Sequence, residues 1–287
     1  MSVDQQLLYE SRVKPRQAGI AGAAAVLLLI GAALQLLGPH TKVDELTADL
    51  IAANKRFPLD LIASVLSGLG SLALAWTLAF LFDMTRARNP EQRTYLRMIA
   101  IAGGVLAAVG GVAYSAVISI KVHDFVTTGS QTYGEANHLT STGLLLALQL
   151  VVQASALMLA LTFVLISLNA MRVGLLTRFM GYLGIFAGVL VLFQITQIPV
   201  VQAYWLVAFV ALLLGRWPSG QPPAWRTGKA EPWPSSQQQR AQRAGLATGK
   251  GRAKPVTTPA PQALATPSTS NGRSRSSTAK RKRKRRR

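Results

Sequence analysis

The first three quarters of the chain repeat one feature, a run of about twenty apolar residues with no charge near its middle. An α-helix rises 1.5 Å per residue, so about twenty such residues cover the ~30 Å hydrocarbon core of a bilayer. Six runs read as transmembrane helices, at about 18–38, 61–82, 98–120, 142–168, 178–195 and 199–215. The first, AGIAGAAAVLLLIGAALQLLG, follows a polar leader and precedes Leu37-Gly38-Pro39-His40, a poor cleavage site, so it reads as an uncleaved span. Only Thr196 to Pro199 divide the fifth run from the sixth. That spacing predicts a tight antiparallel hairpin, with Pro199 at a helix start where its missing N–H does no harm. The predicted fold is all-α: a cytoplasmic leader (1–17), a six-helix transmembrane bundle (18–216) and a disordered basic C-terminal tail (217–287).

Charge supports that division. Half of the 287 residues are hydrophobic, yet the net charge is +20, because residues 217–287 hold 17 of the 31 Lys and Arg against a single acid, Glu231. Nine of the fourteen prolines lie there too, and the only aliphatic residues larger than Ala are Leu246, Val256 and Leu264. Such a segment buries too little apolar surface to offset its ordering entropy. Trp217, beside Arg216, reads as an interface anchor, while Trp225 and Trp233 dip into headgroups or are solvated.

Orientation follows from the basic residues near span ends. With the N-terminus inside, Arg12, Lys14, Arg16, Arg86, Arg88, Arg93, Arg97, Arg172 and Arg178 are cytoplasmic, and only Lys42, Lys55, Arg56 and Lys121 are outside. Six spans then return the tail to the cytoplasm. In the first outside loop Val43, Leu46, Leu50 and Phe57 recur at helical spacing among Asp44, Glu45, Asp49 and Lys55, which predicts a short amphipathic helix in the headgroup plane. The second, 122–141, reads as a loop running into the fourth span.

Chemistry inside a bilayer usually shows as an ionisable residue held there at a cost. None stands in mid-span: Asp60, Asp83 and Lys121 sit at helix ends. This argues against a proton pump, an ion-coupled transporter or a voltage sensor. Gln149 and Gln153, four apart, share one helical face and either bond a neighbouring helix or line a polar cavity. Gln35, Gln194, Gln197 and Gln202 lie near the outside ends, where the interface accounts for them. Gly181, Gly184 and Gly188 form a small-residue stripe, as do the pairs Ser64/Gly68 and Ser67/Ser71, and Gly103, Gly104, Gly110 and Gly111 thin the third span. Close helix packing is the plain reading, a backbone-lined substrate groove the alternative.

Outside, His123 and Asp124 precede the E-x-x-H pair Glu135 and His138, and His40 with Asp44 could approach from the first loop. Imidazole plus carboxylate suits zinc or a similar ion. No third ligand is fixed by spacing, so a solvated polar loop is the plainer reading and a metal-dependent enzyme the sharper one. The chain has no cysteine, phosphate loop, nucleophile elbow or Ser-x-x-Lys, and no catalytic residue or cofactor is predicted. The final residues, Lys280, Arg281, Lys282, Arg283, Lys284, Arg285, Arg286 and Arg287, form a polyanion ligand on a flexible arm. Tethered at a bilayer, it meets anionic inner-leaflet lipids first, at about 1 kcal/mol per basic residue. Non-specific RNA or DNA binding is the competing use.

The stretch SLNAMRVGLLTRFMGYLGIFAGVL (167–190), with GRWPSGQPPAW and GKAEPWP further on, resembles a group of uncharacterised multi-pass membrane proteins from high-GC actinobacteria, similar to a bacterial domain-of-unknown-function family. The resemblance covers roughly residues 120–235, and the first three spans in hydropathy alone. It implies a bacterial plasma membrane and carries no catalytic or ligand residues to transfer. The leading expectation is a non-enzymatic scaffold whose tail engages lipid, RNA or protein. The alternatives are a small neutral-solute permease working beside Gln149, Gln153 and the glycine-rich third and fifth spans, and an outside-facing metal-dependent enzyme. The glycine stripe fits homo-oligomerisation as well as contacts within one bundle.

Overall fold

A computed structural model of the chain describes residues 3–37, 46–141, 143–193, 199–218 and 220–233. The described residues are all-α, with no strand among them: α1 (Val3–Leu36), α2 (Leu46–Arg56), α3 (Leu59–Arg88), α4 (Tyr95–Thr127), α5 (Tyr133–Ser141), α6 (Gly143–Arg172), α7 (Arg178–Phe193), α8 (Val200–Leu213) and α9 (Pro223–Thr227). The basic tail, including Lys280 to Arg287, lies outside the described residues, as do His40, Asp44, Gln194 and Gln197.

Four helices, α1, α3, α4 and α6, are long and apolar enough to cross a membrane. The helices α7 and α8 are apolar but have 16 and 14 residues. At 1.5 Å per residue these reach only about 24 and 21 Å. The six long or apolar helices form a ring in chain order, α1–α3–α4–α6–α7–α8, closed by packing of α8 on α1. A contact of α3 with α6 crosses the middle. The predicted α7/α8 hairpin is antiparallel, with Gln202 Nε2 donating to Ala187 O (3.3 Å) and Trp205 Nε1 to Met180 O (3.0 Å). Pro199 caps α8, where no intrahelical N–H is required.

Small residues set the spacing of the ring. A Cβ on Gly184 would run into Ser167 and come within 2.8 Å of Trp205 Nε1, and one on Gly188 within 2.9 Å of Ala160 O. A Cβ on Gly181 would lie 2.8 Å from Met171 Cβ. The stripe of α7 is therefore spent on α6 and α8 of the same chain, which leaves no backbone-lined groove on that face. Trp205, fully buried, meets Phe163 edge-on (4.8 Å between centroids) and stacks on Phe209 (5.2 Å).

Three boundaries differ from the sequence reading. The leader is no separate segment, because α1 begins at Val3 and runs through Pro15. Its inward positions Leu7, Glu10, Lys14, Gln17, Ala21, Ala24 and Leu28 alternate by three and four, the seam of a packed helix. Three of the first four are polar, so hydropathy ends the helix at residue 18 although the geometry continues.

The second correction concerns 122–141: α4 runs on to Thr127, and α5 follows instead of a loop. The amphipathic α2 packs on protein, with Leu50 beside Val122, Phe125 and Ala136. Its apolar stripe is covered by α4 and α5 of the same chain.

The third correction is at 217–233. Instead of beginning the disordered tail, Pro223, Ala224 and Trp225 are buried and α9 packs on α1. Trp225 Nε1 donates to Leu175 O (2.9 Å), and the Glu231 N–H donates to Val173 O (3.1 Å). Trp217 stacks on Phe179. A Pro-rich composition signals poor core-forming capacity, but one tryptophan placed in a pocket anchors such a strap.

Candidate functional site

The strap completes a buried charge site at one end of the ring. Glu10 from α1 and Arg88 from the last turn of α3 form a two-point ion pair, Nη1 to Oε1 2.8 Å and Nη2 to Oε2 2.9 Å, with both side chains fully buried. Arg88 also donates from Nη1 to Met84 O (3.0 Å), and from Nε (3.2 Å) and Nη2 (2.8 Å) to Ala224 O. Gln6 Nε2 donates to Glu10 Oε1. Every guanidinium nitrogen thus meets an acceptor, the condition under which a desolvated pair persists. The Trp225 ring stacks on Phe80, with Lys14 Nζ 4.6 Å and Arg88 Cζ 5.2 Å from its centroid. The sequence reading counts Arg88 among the cytoplasmic basic residues and gives Glu10, within the leader, no role. The signal it missed is the three-four spacing that carries α1 back past Lys14.

At the other end the ring is hollow. A cavity of about 790 Å³ lies between α1, α3, α4, α6 and the start of α8, with α2 beside its entrance. That volume is in the range of small-molecule sites. Leu28, Leu74 and Phe163 belong both to the core and to the cavity wall, so the packed half of the bundle is the cavity floor. Serines line the sides: Ser64, Ser67 and Ser71 on α3, Ser115 and Ser119 on α4, and Ser155 on α6. Arg56 Nε meets Asp60 Oδ2 at 3.1 Å at the α2 end, where Asp49 also borders the cavity.

The hydroxyl hydrogens are used locally. Ser64 donates to Leu61 O, Ser71 to Ser67 O, Ser119 to Ser115 O and Ser155 to Val152 O, all i−3 or i−4 helix bonds, and Ser115 donates to Asp60 O. Each oxygen keeps acceptor capacity. Gln202, also on the wall and 5% exposed, donates Nε2 to Ala187 O and leaves Oε1 with no protein partner. Its burial corrects the view of Gln202 as an interface residue.

The predicted polar face fares differently. Gln149 and Gln153 are exposed on the outer side of α6, whereas Val152, Ser155, Ala156 and Leu159 line the cavity. The inward face of α6 is thus one position away from the amides. The sequence does hold the right signal in SVLSGLGS (64–71), whose serines repeat at three and four, but small residues read first as packing. Both uses occur: Gly68 meets Ala108 of α4, while the serines turn to the cavity.

The E-x-x-H pair does lie on one short helix, α5, and Glu135 and His138 border a second cavity of about 580 Å³ with Lys121 and Asp124. His123 is exposed on α4 and does not border it. Glu135 Oε2 accepts from Ser130 N (2.7 Å), Ser130 Oγ (2.7 Å) and Gln131 N (3.1 Å), so this carboxylate fastens the turn before α5. Among the described residues no three His, Asp or Glu side chains are grouped to hold a metal ion.

No protein-family model, curated protein or solved structure matches the chain.

Proposed function

We propose that the chain is a six-span protein of a bacterial plasma membrane, with both ends cytoplasmic, that takes up a small polar solute through the serine-lined cavity. The observation that carries this reading is the cavity itself: a hydroxyl-walled hollow of about 790 Å³ inside a ring whose exterior is apolar. Val26, Ile30, Trp76, Val109, Leu150 and Phe186 are among the large apolar side chains left exposed on the helices of that ring. An apolar exterior around a hollow lined in part by hydroxyls inverts the pattern of a water-soluble bundle. For α7 and α8, flanking apolar residues such as Leu214 and Trp217 lengthen the span, and a tilted or locally thinned bilayer absorbs the rest.

The distribution of Lys and Arg supports placing the Arg88 end in the cytoplasm and the Asp60 end outside. The cavity is then open to the outside and closed inward by the aromatic core and the Glu10–Arg88 pair. Cysteine substitutions at Ser130 and Ser268 test the sidedness: an impermeant thiol reagent on intact cells labels Ser130→Cys and spares Ser268→Cys. The reverse pattern inverts the topology. Uptake in proteoliposomes tests the activity. At least one solute of a mixed neutral and charged panel enters, and Ser115→Phe, which fills the cavity, stops it. No flux of any solute across the panel would end the reading.

The segregation of charge favours a second role for the tail as a ligand for anionic lipid, with RNA or DNA as competitors. Truncation after Pro234 removes salt-sensitive binding to phosphatidylglycerol vesicles while the bundle stays folded. Unchanged binding would overturn it.

A further inference from the structure

From the serine oxygens of the cavity wall we infer that its ligand is a small organic cation bearing ammonium N–H donors, an assignment that rests on the solute-binding reading above. Five wall hydroxyls, those of Ser64, Ser71, Ser115, Ser119 and Ser155, have given their hydrogens to helix carbonyls or to Asp60 O, so they face a ligand as oxygen acceptors. Against these oxygens the wall sets the Tyr114 hydroxyl and the Arg56 guanidinium as donors, and Arg56 is already engaged by Asp60.

The charge at the entrance points the same way. Two carboxylates, Asp49 and Asp60, and one guanidinium, Arg56, border the cavity, an excess of one negative charge among the described lining residues. A wall of hydroxyl oxygens can take over the hydration of an –NH₃⁺ group, whose three N–H bonds need three acceptors. The apolar floor of Leu28, Leu74 and Phe163 suits a short alkyl chain. With about 790 Å³ available, the molecule can exceed an inorganic ammonium ion many times over.

The test uses four probes of nearly one shape on the full-length protein in detergent micelles: n-butylammonium, n-butyltrimethylammonium, 1-butanol and butyrate. Binding is read by calorimetry and by ligand-induced thermal shift. Butylammonium is expected to bind at least tenfold more tightly than the trimethyl compound, which has the charge but no N–H. Butanol is weaker again, and butyrate does not bind. Ser115→Ala and Asp60→Asn each weaken butylammonium about tenfold, and Asp60→Asn, the nearest in shape, controls for misfolding through its unchanged melting temperature. Equal affinity for the ammonium and trimethyl compounds would leave charge without donors and overturn the assignment. Tighter binding of butyrate or butanol, lost in Ser115→Phe, would overturn it while the solute-binding reading stands. No binding of any probe would sink the ammonium assignment alone, since solute uptake is judged separately by the mixed flux panel.

Discussion

At the Arg88 end of the ring, a buried guanidinium is met by a carboxylate and two backbone carbonyls under a tryptophan. At the Asp60 end, 28 residues earlier along α3, serine oxygens face an open hollow. Both regions are polar, both lie inside helices of a predominantly apolar bundle, and both escape a hydropathy scan. They differ in what the polar groups face, protein at the first end and open space at the second. A satisfied polar network fixes geometry, whereas hydroxyl oxygens that border a cavity keep acceptor capacity for a guest. The first end is therefore where stability should be most sensitive to substitution, and the second is where binding should be.

The sharpest way to break this contrast is at the ion pair. Glu10→Ala strands a buried guanidinium and is expected to cost about 3–5 kcal/mol, read as a large drop in melting temperature in detergent. Asp83→Asn, which removes the half-exposed partner of Arg97 at 3.2 Å, costs at most about 1 kcal/mol. Next comes the strap. Trp225→Ala removes a buried ring and its bond to Leu175 O and is expected to cost about 3 kcal/mol. Truncation after Gly220 does the same damage, and truncation after Pro234 does none. If both truncated proteins melt together with the full chain, the strap does not hold the bundle.

A smaller effect tests the ring spacing. Gly184→Leu forces a side chain against Ser167 and Trp205 and costs about 1–3 kcal/mol, while Gly111→Ala, with nothing within 4 Å of the added Cβ, stays within about 0.5 kcal/mol. In the hollow half, Ser119→Ala deletes only a hydroxyl bonded within its own helix, and stability changes by less than about 0.5 kcal/mol. Smallest of all is Glu135→Gln, which weakens the turn before α5. Faster hydrogen exchange at the Ser130 and Gln131 amides is expected, with no change in global melting.

Much of the helical layout can be read from the sequence, because long apolar runs have few other uses. Spans ending near Phe82, Ile120 and Leu168 fall within the observed α3, α4 and α6. What the sequence hides is polarity on an inward face. Glu10, Lys14 and Gln17 continue the buried seam of α1, yet average as a solvated leader. The strap is hidden for the opposite reason: Pro222, Pro223 and Trp225 sit in a stretch whose mean composition is that of a tail, and average composition is blind to one anchored ring. The cavity is concealed again differently. Its serines occur at proper helical spacing, but a serine that packs and a serine that lines a hollow are the same letter until the neighbouring helix is placed.

Arg88 draws its partners from far along the chain, Glu10 being 78 residues before it and Ala224 being 136 after. During synthesis the guanidinium therefore emerges long before the carbonyl that completes its shell has been made. At roughly 5–20 residues per second, that interval lasts on the order of ten seconds. Throughout it the nascent protein carries a charge that is only partly sheltered and an end of the ring that is still unsealed. Chains interrupted anywhere before Ala224 would keep that end open.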